Sequence, residues 1–142
     1  MDFNLTEERA MLRDMLQRFL GERYDHEARR KLIASGAPYD ADILIELAKL
    51  GILGAMFSED DGGFGGTGFD LLVVFEELGR AGTIEPVVGS AVLAGGLLSE
   101  LGNASQKALI GQVIGGVTVL ALAHGEPQSR YDLSHVHTTA QA

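Results

Sequence analysis

Few residues in this chain have the type and spacing that chemistry needs, and the most suggestive are glycines. The segment Gly63-Phe64-Gly65-Gly66-Thr67-Gly68 satisfies the G-x-G-x-x-G pattern and leads into a helical stretch, as in a turn whose backbone amides cradle a pyrophosphate. Directly before it, Ser58-Glu59-Asp60-Asp61 places three carboxylates where that pyrophosphate would sit. Coulomb repulsion there opposes the attraction of a helix N-terminus. The segment ahead reads as the tail of a helix and no clear second strand follows, so a glycine-rich connecting loop is the expectation. His135 and His137 are two apart and on a strand would face one side, as two metal ligands could. No nearby third ligand completes a set, so the metal expectation is none, and His26 and His124 stand without the nucleophile a triad needs. Finally, Gly89, Ser90, Ala91, Ala94, Gly95 and Gly96 leave part of one helix without bulk. Either a neighbouring helix or a ligand can approach there.

The elements that must position these residues are mostly helical. From Thr6 to Tyr24, Met11, Leu12, Met15, Leu16, Phe19 and Leu20 recur in pairs four apart, one stripe of a helix capped by Thr6. A short basic helix follows over Glu27 to Ser35, with Arg29, Arg30 and Lys31 expected on its exposed side and Gly36 at its end. Asp40 caps a third helix carrying Ile43, Leu44, Leu47 and Leu50, stopped by Gly51. After a loop from about Phe57 to Gly68, Phe69 to Gly79 reads as a central helix, although Val73-Val74 would also suit a strand. Pro86 and Gly102 frame a fifth helix. Asn103, with Gln106 as capping-box partner, opens a sixth that buries Leu109, Ile110, Val113 and Ile114 and stops at Gly115-Gly116. Beyond it, Val117 to Ala123 is β-prone and Leu133 to Ala140 alternates weakly.

That division sets the expected organisation: a helical domain over 1–116, and over 117–142 the start of a β-domain that continues past Ala142. One or two lone strands would expose unpaired edges.

Composition narrows the function. The 142 residues suffice for one sizeable core, and 11 basic against 20 acidic residues give a net charge of -9, which repels nucleic acid and anionic membranes. The absence of cysteine removes disulfides, thiolate nucleophiles and cysteine metal sites. The acidic start, Met1-Asp2-Phe3-Asn4-Leu5-Thr6-Glu7-Glu8, lacks the basic and apolar regions of a secretory signal, so a cytoplasmic location is expected. The apolar run from Ala108 to Ala123 is interrupted and too short to span a bilayer.

Taken in order, several segments resemble the acyl-CoA dehydrogenase family over essentially the whole chain. They are the opening eight residues, Leu50-Gly51-Ile52-Leu53-Gly54, Glu59-Asp60-Asp61-Gly62-Gly63-Phe64-Gly65-Gly66, Glu76-Glu77-Leu78-Gly79-Arg80 with Glu85-Pro86, and Ala121-Leu122-Ala123-His124-Gly125-Glu126-Pro127 leading into Arg130-Tyr131-Asp132-Leu133. The last four residues look most like the small subunit of bacterial pimeloyl-CoA dehydrogenases, which pairs with a different large subunit.

The resemblance implies a mainly α fold: the helical amino-terminal domain of these enzymes, followed by the first strands of their middle β-domain. It implies FAD as cofactor, an acyl-CoA as substrate oxidised to a trans-2-enoyl-CoA, electron-transfer flavoprotein as acceptor, and assembly into a homo- or hetero-oligomer. The family's glutamate base lies in a carboxy-terminal domain, so no catalytic residue is expected here. Leu122, His124, Gly125 and Tyr131 match the segment that contacts the flavin. Pro86, Gly89, Ser90 and Leu93, with Tyr131, match positions lining the acyl cavity. Two positions depart from the family: Gly125 stands for the usual threonine before the glutamate, and Tyr131 for the usual serine before the aspartate. The first departure removes a hydroxyl, a loss on the order of 1 kcal/mol if its partner stays unsatisfied, and the second adds a bulky ring. Both leave room for a second reading, a non-catalytic structural subunit of a hetero-oligomeric dehydrogenase.

Overall fold

The computed structural model describes residues 4–141. Met1, Asp2 and Phe3, part of the opening match, and Ala142 lie outside the described residues.

Helix α1 (Glu7–Arg23) begins at Thr6, whose Oγ1 accepts the Arg9 N–H at 3.3 Å, and it buries Leu16 and Leu20 along α4 (Gly68–Ala81). The expected stripe is narrower than six residues, because Met11 is 64% exposed. α2 (His26–Ser35) starts a residue earlier than expected: Asp25 is its cap, accepting the Ala28 N–H at 2.7 Å, and Gly36 ends it at φ 76°. Of its three cations, Arg29 does not face solvent freely. Its Nη1 donates to the Gly82 carbonyl at 3.3 Å, tying α2 to the end of α4.

α3 (Ala41–Lys49) is capped by Asp40, which accepts from the Asp42 and Ile43 amides. Gly51 turns the chain away at φ 80°, a left-handed value that strains any residue with a Cβ. Ile43, Leu44 and Leu47 from α3 join Leu16, Leu20 and Val74 in the main core.

The β-branched pair Val73-Val74 is helical after all and fully enclosed in α4. A capping box decides it: Asp70 Oδ2 accepts the Thr67 N–H at 2.8 Å and the Thr67 hydroxyl at 2.6 Å. Burial of Val73, Val74 and Leu78 on one face then outweighs a weak strand preference, whereas Phe69 and Leu72 lie on the opposite face, 58% and 60% exposed, so the helix is not apolar-packed all round.

The expected fifth helix divides. Val88–Gly95 winds as a π-helix and Gly96–Leu101 continues as α5. α6 (Ala104–Ile114) carries the expected Asn103–Gln106 box, and its Ile110 and Val113 form a second core with Phe57 and Ala91.

After Gly116 the described chain is irregular and forms no ladder, so the expected strands are not paired among the described residues. Val119 and Leu120 pack against the helical cores instead, and 127–134 folds into turns. β-prone residues make a sheet only when a second strand accepts their backbone bonds. No helix among the described residues is long and apolar enough to cross a membrane.

Candidate functional site

The glycine motif has four of its six amides, those of Gly63, Phe64, Gly65 and Thr67, already donating within the chain. Phe64 N–H donates to the Gly54 carbonyl and Gly65 N–H to the Phe57 carbonyl, each at 2.9 Å, while Gly63 N–H donates to Ser58 O at 2.8 Å. A Cβ at Gly63 would overlap the Phe57 carbonyl, and one at Gly66 the Ala55 carbonyl. These glycines allow backbone to cross backbone. Asp61 is committed as well, accepting from Ser99 Oγ at 2.5 Å and Ser58 Oγ at 2.9 Å, and the Ser99 bond leads in holding its carboxyl below the usual carboxylate range. With no sheet behind it among the described residues, the segment is a packed connecting loop.

The imidazoles of His135 and His137 meet at 2.9 Å between Nε2 atoms. Among the described residues no third His, Cys, Asp or Glu joins them.

The small-residue helix splits into two faces. Ala91, Ala94 and Gly95 are buried, and a Cβ on Gly95 would come within 2.5 Å of Phe57 Cζ, so this face is a helix contact. Gly89 and Gly96 have nothing within 4 Å of a would-be Cβ, and Leu93 is 45% exposed. Gly89 and Leu93 are four apart on a helix whose turn holds between four and five residues, so they share the open face.

Leu93 forms one wall of a cleft of about 510 Å³, completed by Leu122, Ala123, His124, Glu126, Leu133, Val136, Thr138 and Ala140. Its lining is largely apolar with a few convergent polar groups, the usual character of a small-molecule site. One side is built by Glu126, which accepts the Thr138 N–H at 2.8 Å, the His137 N–H at 2.9 Å and the Thr138 hydroxyl at 2.5 Å. The Thr138 hydroxyl contributes most to holding the Glu126 carboxyl below its ordinary range.

Three residues expected in two separate sites, Leu93, Leu122 and His124, therefore meet in one cleft. Gly125 adjoins it with open space at its Cα. Among the described residues, the backbone from Ala121 to Gly125 makes no hydrogen bond, leaving amides and carbonyls available. Pro86 is half-buried at the head of the π-helix, where its carbonyl accepts the Ser90 N–H at 2.8 Å, and does not line the cleft. Ser90 is 4% exposed and its Oγ accepts the Leu120 N–H at 2.9 Å. Tyr131 is 99% exposed and stands clear. Glu126, Leu133, Val136 and Thr138 were not among the expected site residues; the available signal was Leu133 and Val136 as the apolar positions of a polar tail.

The described helices thus carry a cleft between one face of the π-helix and the irregular segment that follows α6. The sequence model described as "Acyl-CoA dehydrogenase, N-terminal domain" matches residues 6–114. The chain belongs to the acyl-CoA dehydrogenase family. It is 30% identical to (2S)-methylsuccinyl-CoA dehydrogenase of Cereibacter sphaeroides over 96% of this chain and 25% of that protein. It is 29% identical to benzylmalonyl-CoA dehydrogenase of Aromatoleum aromaticum over 99% of this chain and 37% of that protein. The chain thus spans between 25% and 37% of the length of these relatives. A solved structure described as Tcur3481-Tcur3483 steroid ACAD G363A variant superposes at a TM-score of 0.76, with 29% identity over 85% of this chain and 33% of that one.

Proposed function

We propose that this chain serves an FAD-dependent acyl-CoA dehydrogenase that oxidises an acyl-CoA to a trans-2-enoyl-CoA. The π-helix would supply the wall of the acyl pocket and 122–131 the edge of the flavin site, with a domain boundary near residue 116. The observation that carries this reading is the single cleft in which Leu93 faces Leu122 and His124.

The residues fit one edge of a flavin. A backbone with free amides and carbonyls from Ala121 to Gly125 suits the hydrogen-bonding rim of a flat ring, and Leu122 offers an apolar contact. When bound, the flavin supplies the acceptor for the hydride that leaves the β-carbon. The chain's own contribution is positional. Gly89 leaves space for the acyl chain, Leu93 removes water from around it, and the 121–125 backbone orients the ring. The proton-abstracting base belongs to another domain of such an enzyme, electron-transfer flavoprotein would take the electrons onward, and the assembly would be an oligomer in the cytoplasm.

A second reading has an observation behind it. Gly125 offers no hydroxyl where the family has threonine, and Tyr131 projects into solvent, 99% exposed. Both suit a non-catalytic subunit that supports a catalytic relative.

The deciding experiment is the visible spectrum of the full-length protein, purified alone and co-purified with any acyl-CoA dehydrogenase subunit it pairs with. Flavin absorbance in the protein alone, bleached by an acyl-CoA, supports the enzyme. Flavin at half occupancy, found only in the complex, supports the structural subunit. Failure to bind flavin or acyl-CoA in either preparation overturns both.

A further inference from the structure

We infer that Ser90 is a positioning residue whose hydroxyl locks the segment after α6 through Leu120 onto the π-helix, so that the acyl wall and the flavin edge hold one geometry. The inference rests on the function proposed above and gives Ser90 a role other than substrate contact.

Ser90 is 4% exposed, and its Oγ accepts the Leu120 N–H at 2.9 Å across thirty residues of sequence. A side chain so enclosed has no surface to offer an acyl chain. Its partner lies where anchoring ends. Upstream, the Val117 and Thr118 amides donate to the Gln112 carbonyl, and Thr118 Oγ1 donates to the Gln112 side chain at 2.8 Å. Downstream, among the described residues, Ala121 to Gly125 make no hydrogen bond. The Ser90–Leu120 bond is thus the last fixed point before the stretch that carries Leu122 and His124.

The other end of the linkage is equally short. Leu93 is three residues beyond Ser90 on the π-helix and lines the cleft with Leu122 and His124. The helix cannot slip sideways, because Ala91 and Gly95 press against the Phe57 side of the second core. Leu120 packs against that same cluster. The hydroxyl, together with the packing of Leu120 on that cluster, therefore ties the position of Leu122 to that of Leu93 across the cleft.

The test uses the full-length protein in the preparation that carries flavin, with Ser90→Ala and the hydroxyl-retaining Ser90→Thr. Two readouts are taken: amide hydrogen exchange at Leu120, and the shift of the flavin visible band on adding a non-oxidisable acyl-CoA thioether. In Ser90→Ala, exchange at Leu120 rises about tenfold or more, as for an amide left without its acceptor, while α6 is unchanged. The band shift shrinks, acyl-CoA affinity falls about tenfold, and Ser90→Thr restores both. Faster exchange with an unchanged band shift and affinity overturns the positioning role and leaves a structural bond. Unchanged exchange overturns the bond itself. If the wild type binds neither flavin nor acyl-CoA, the proposed function fails and this inference fails with it, whatever the exchange shows.

Discussion

Gly95 lies so close beneath the ring of Phe57 that an added Cβ would come within 2.5 Å of Phe57 Cζ and 2.8 Å of Cε1. The contact joins the π-helix to the second core and decides which side of that helix is closed. Phe57 is 3% exposed and packs with Ile110 and Val113, so its ring has little room to retreat. Gly95→Ala should destabilise the protein by about 1–3 kcal/mol, the usual cost of overpacking. Chemical denaturation of the variant checks it, and an unchanged midpoint would show that the ring can move aside.

The open face makes the opposite prediction. Gly89→Leu adds bulk at a half-buried position where a would-be Cβ meets nothing within 4 Å, so stability should change by less than about 1 kcal/mol, as at positions where no neighbour is displaced. Acyl-CoA affinity should fall, measured by titration calorimetry on the full-length protein. Equal binding by variant and wild type would remove Gly89 from the acyl wall.

The glycine loop should ignore dinucleotides. Its amides at Gly63, Phe64 and Gly65 already donate to Ser58, Gly54 and Phe57 carbonyls. Adding NAD should leave the melting temperature unchanged. Gly63→Ala should cost about 2 kcal/mol or more, because the overlapping neighbour is backbone rather than a yielding side chain. A thermal shift with NAD would reopen the dinucleotide reading.

Asp70 links α4 to α1. It accepts Arg9 Nε at 2.8 Å and caps α4 through Thr67. Its carboxyl is lowered to about 2, the Arg9 bond contributing most and the Thr67 bonds next. With the folded value below the unfolded one, near 3.9, the stabilisation is complete above about pH 4 and is lost as pH falls through about 2. Asp70→Asn should cost about 1 kcal/mol at neutral pH, as for a weakened cap and partly exposed ion pair. The difference from wild type should close as the pH falls from 4 to 2 in a series of denaturation curves. A gap that persists at pH 2 would assign the effect to packing.

Glu77, at 2% exposure, is the most enclosed carboxylate among the described residues, with Oε1 accepting from Gln17 Nε2 at 3.0 Å and Oε2 facing Arg80 Nε at 3.4 Å. Gln17→Ala removes the better donor from a buried charge and should cost about 1–3 kcal/mol. A loss below about 0.5 kcal/mol would mean that Arg80 or water replaces it.

Much of the fold was legible because helix ends are local chemistry. Thr6, Asp40, Asn103 with Gln106, Gly36 and Gly51 cap or stop helices where their types predict. Each acts on amides or turns within a few residues, so no distant information is needed. The misplaced details involve distant partners. Arg29 looked solvent-facing until Gly82 reached it, and the π-helical winding of Val88–Gly95 had no marker in the sequence. The candidate site follows the same rule. Leu93, Leu122 and His124 were named from the resemblance, but their sharing one cleft depends on a fold of the tail held by Glu126, Thr138 and His137.

By itself, then, the sequence determined the helices, their caps, the acidic charge and the resemblance to acyl-CoA dehydrogenases, all written in residue type and short spacing. Tertiary structure decided which face of the small-residue helix is closed by Phe57 and which is open at Gly89. It also turned Ser90 inward to Leu120 and left 117–123 without a ladder. The physical reason is that burial and backbone pairing are properties of the neighbour a residue meets, and that neighbour lies tens of residues away along the chain.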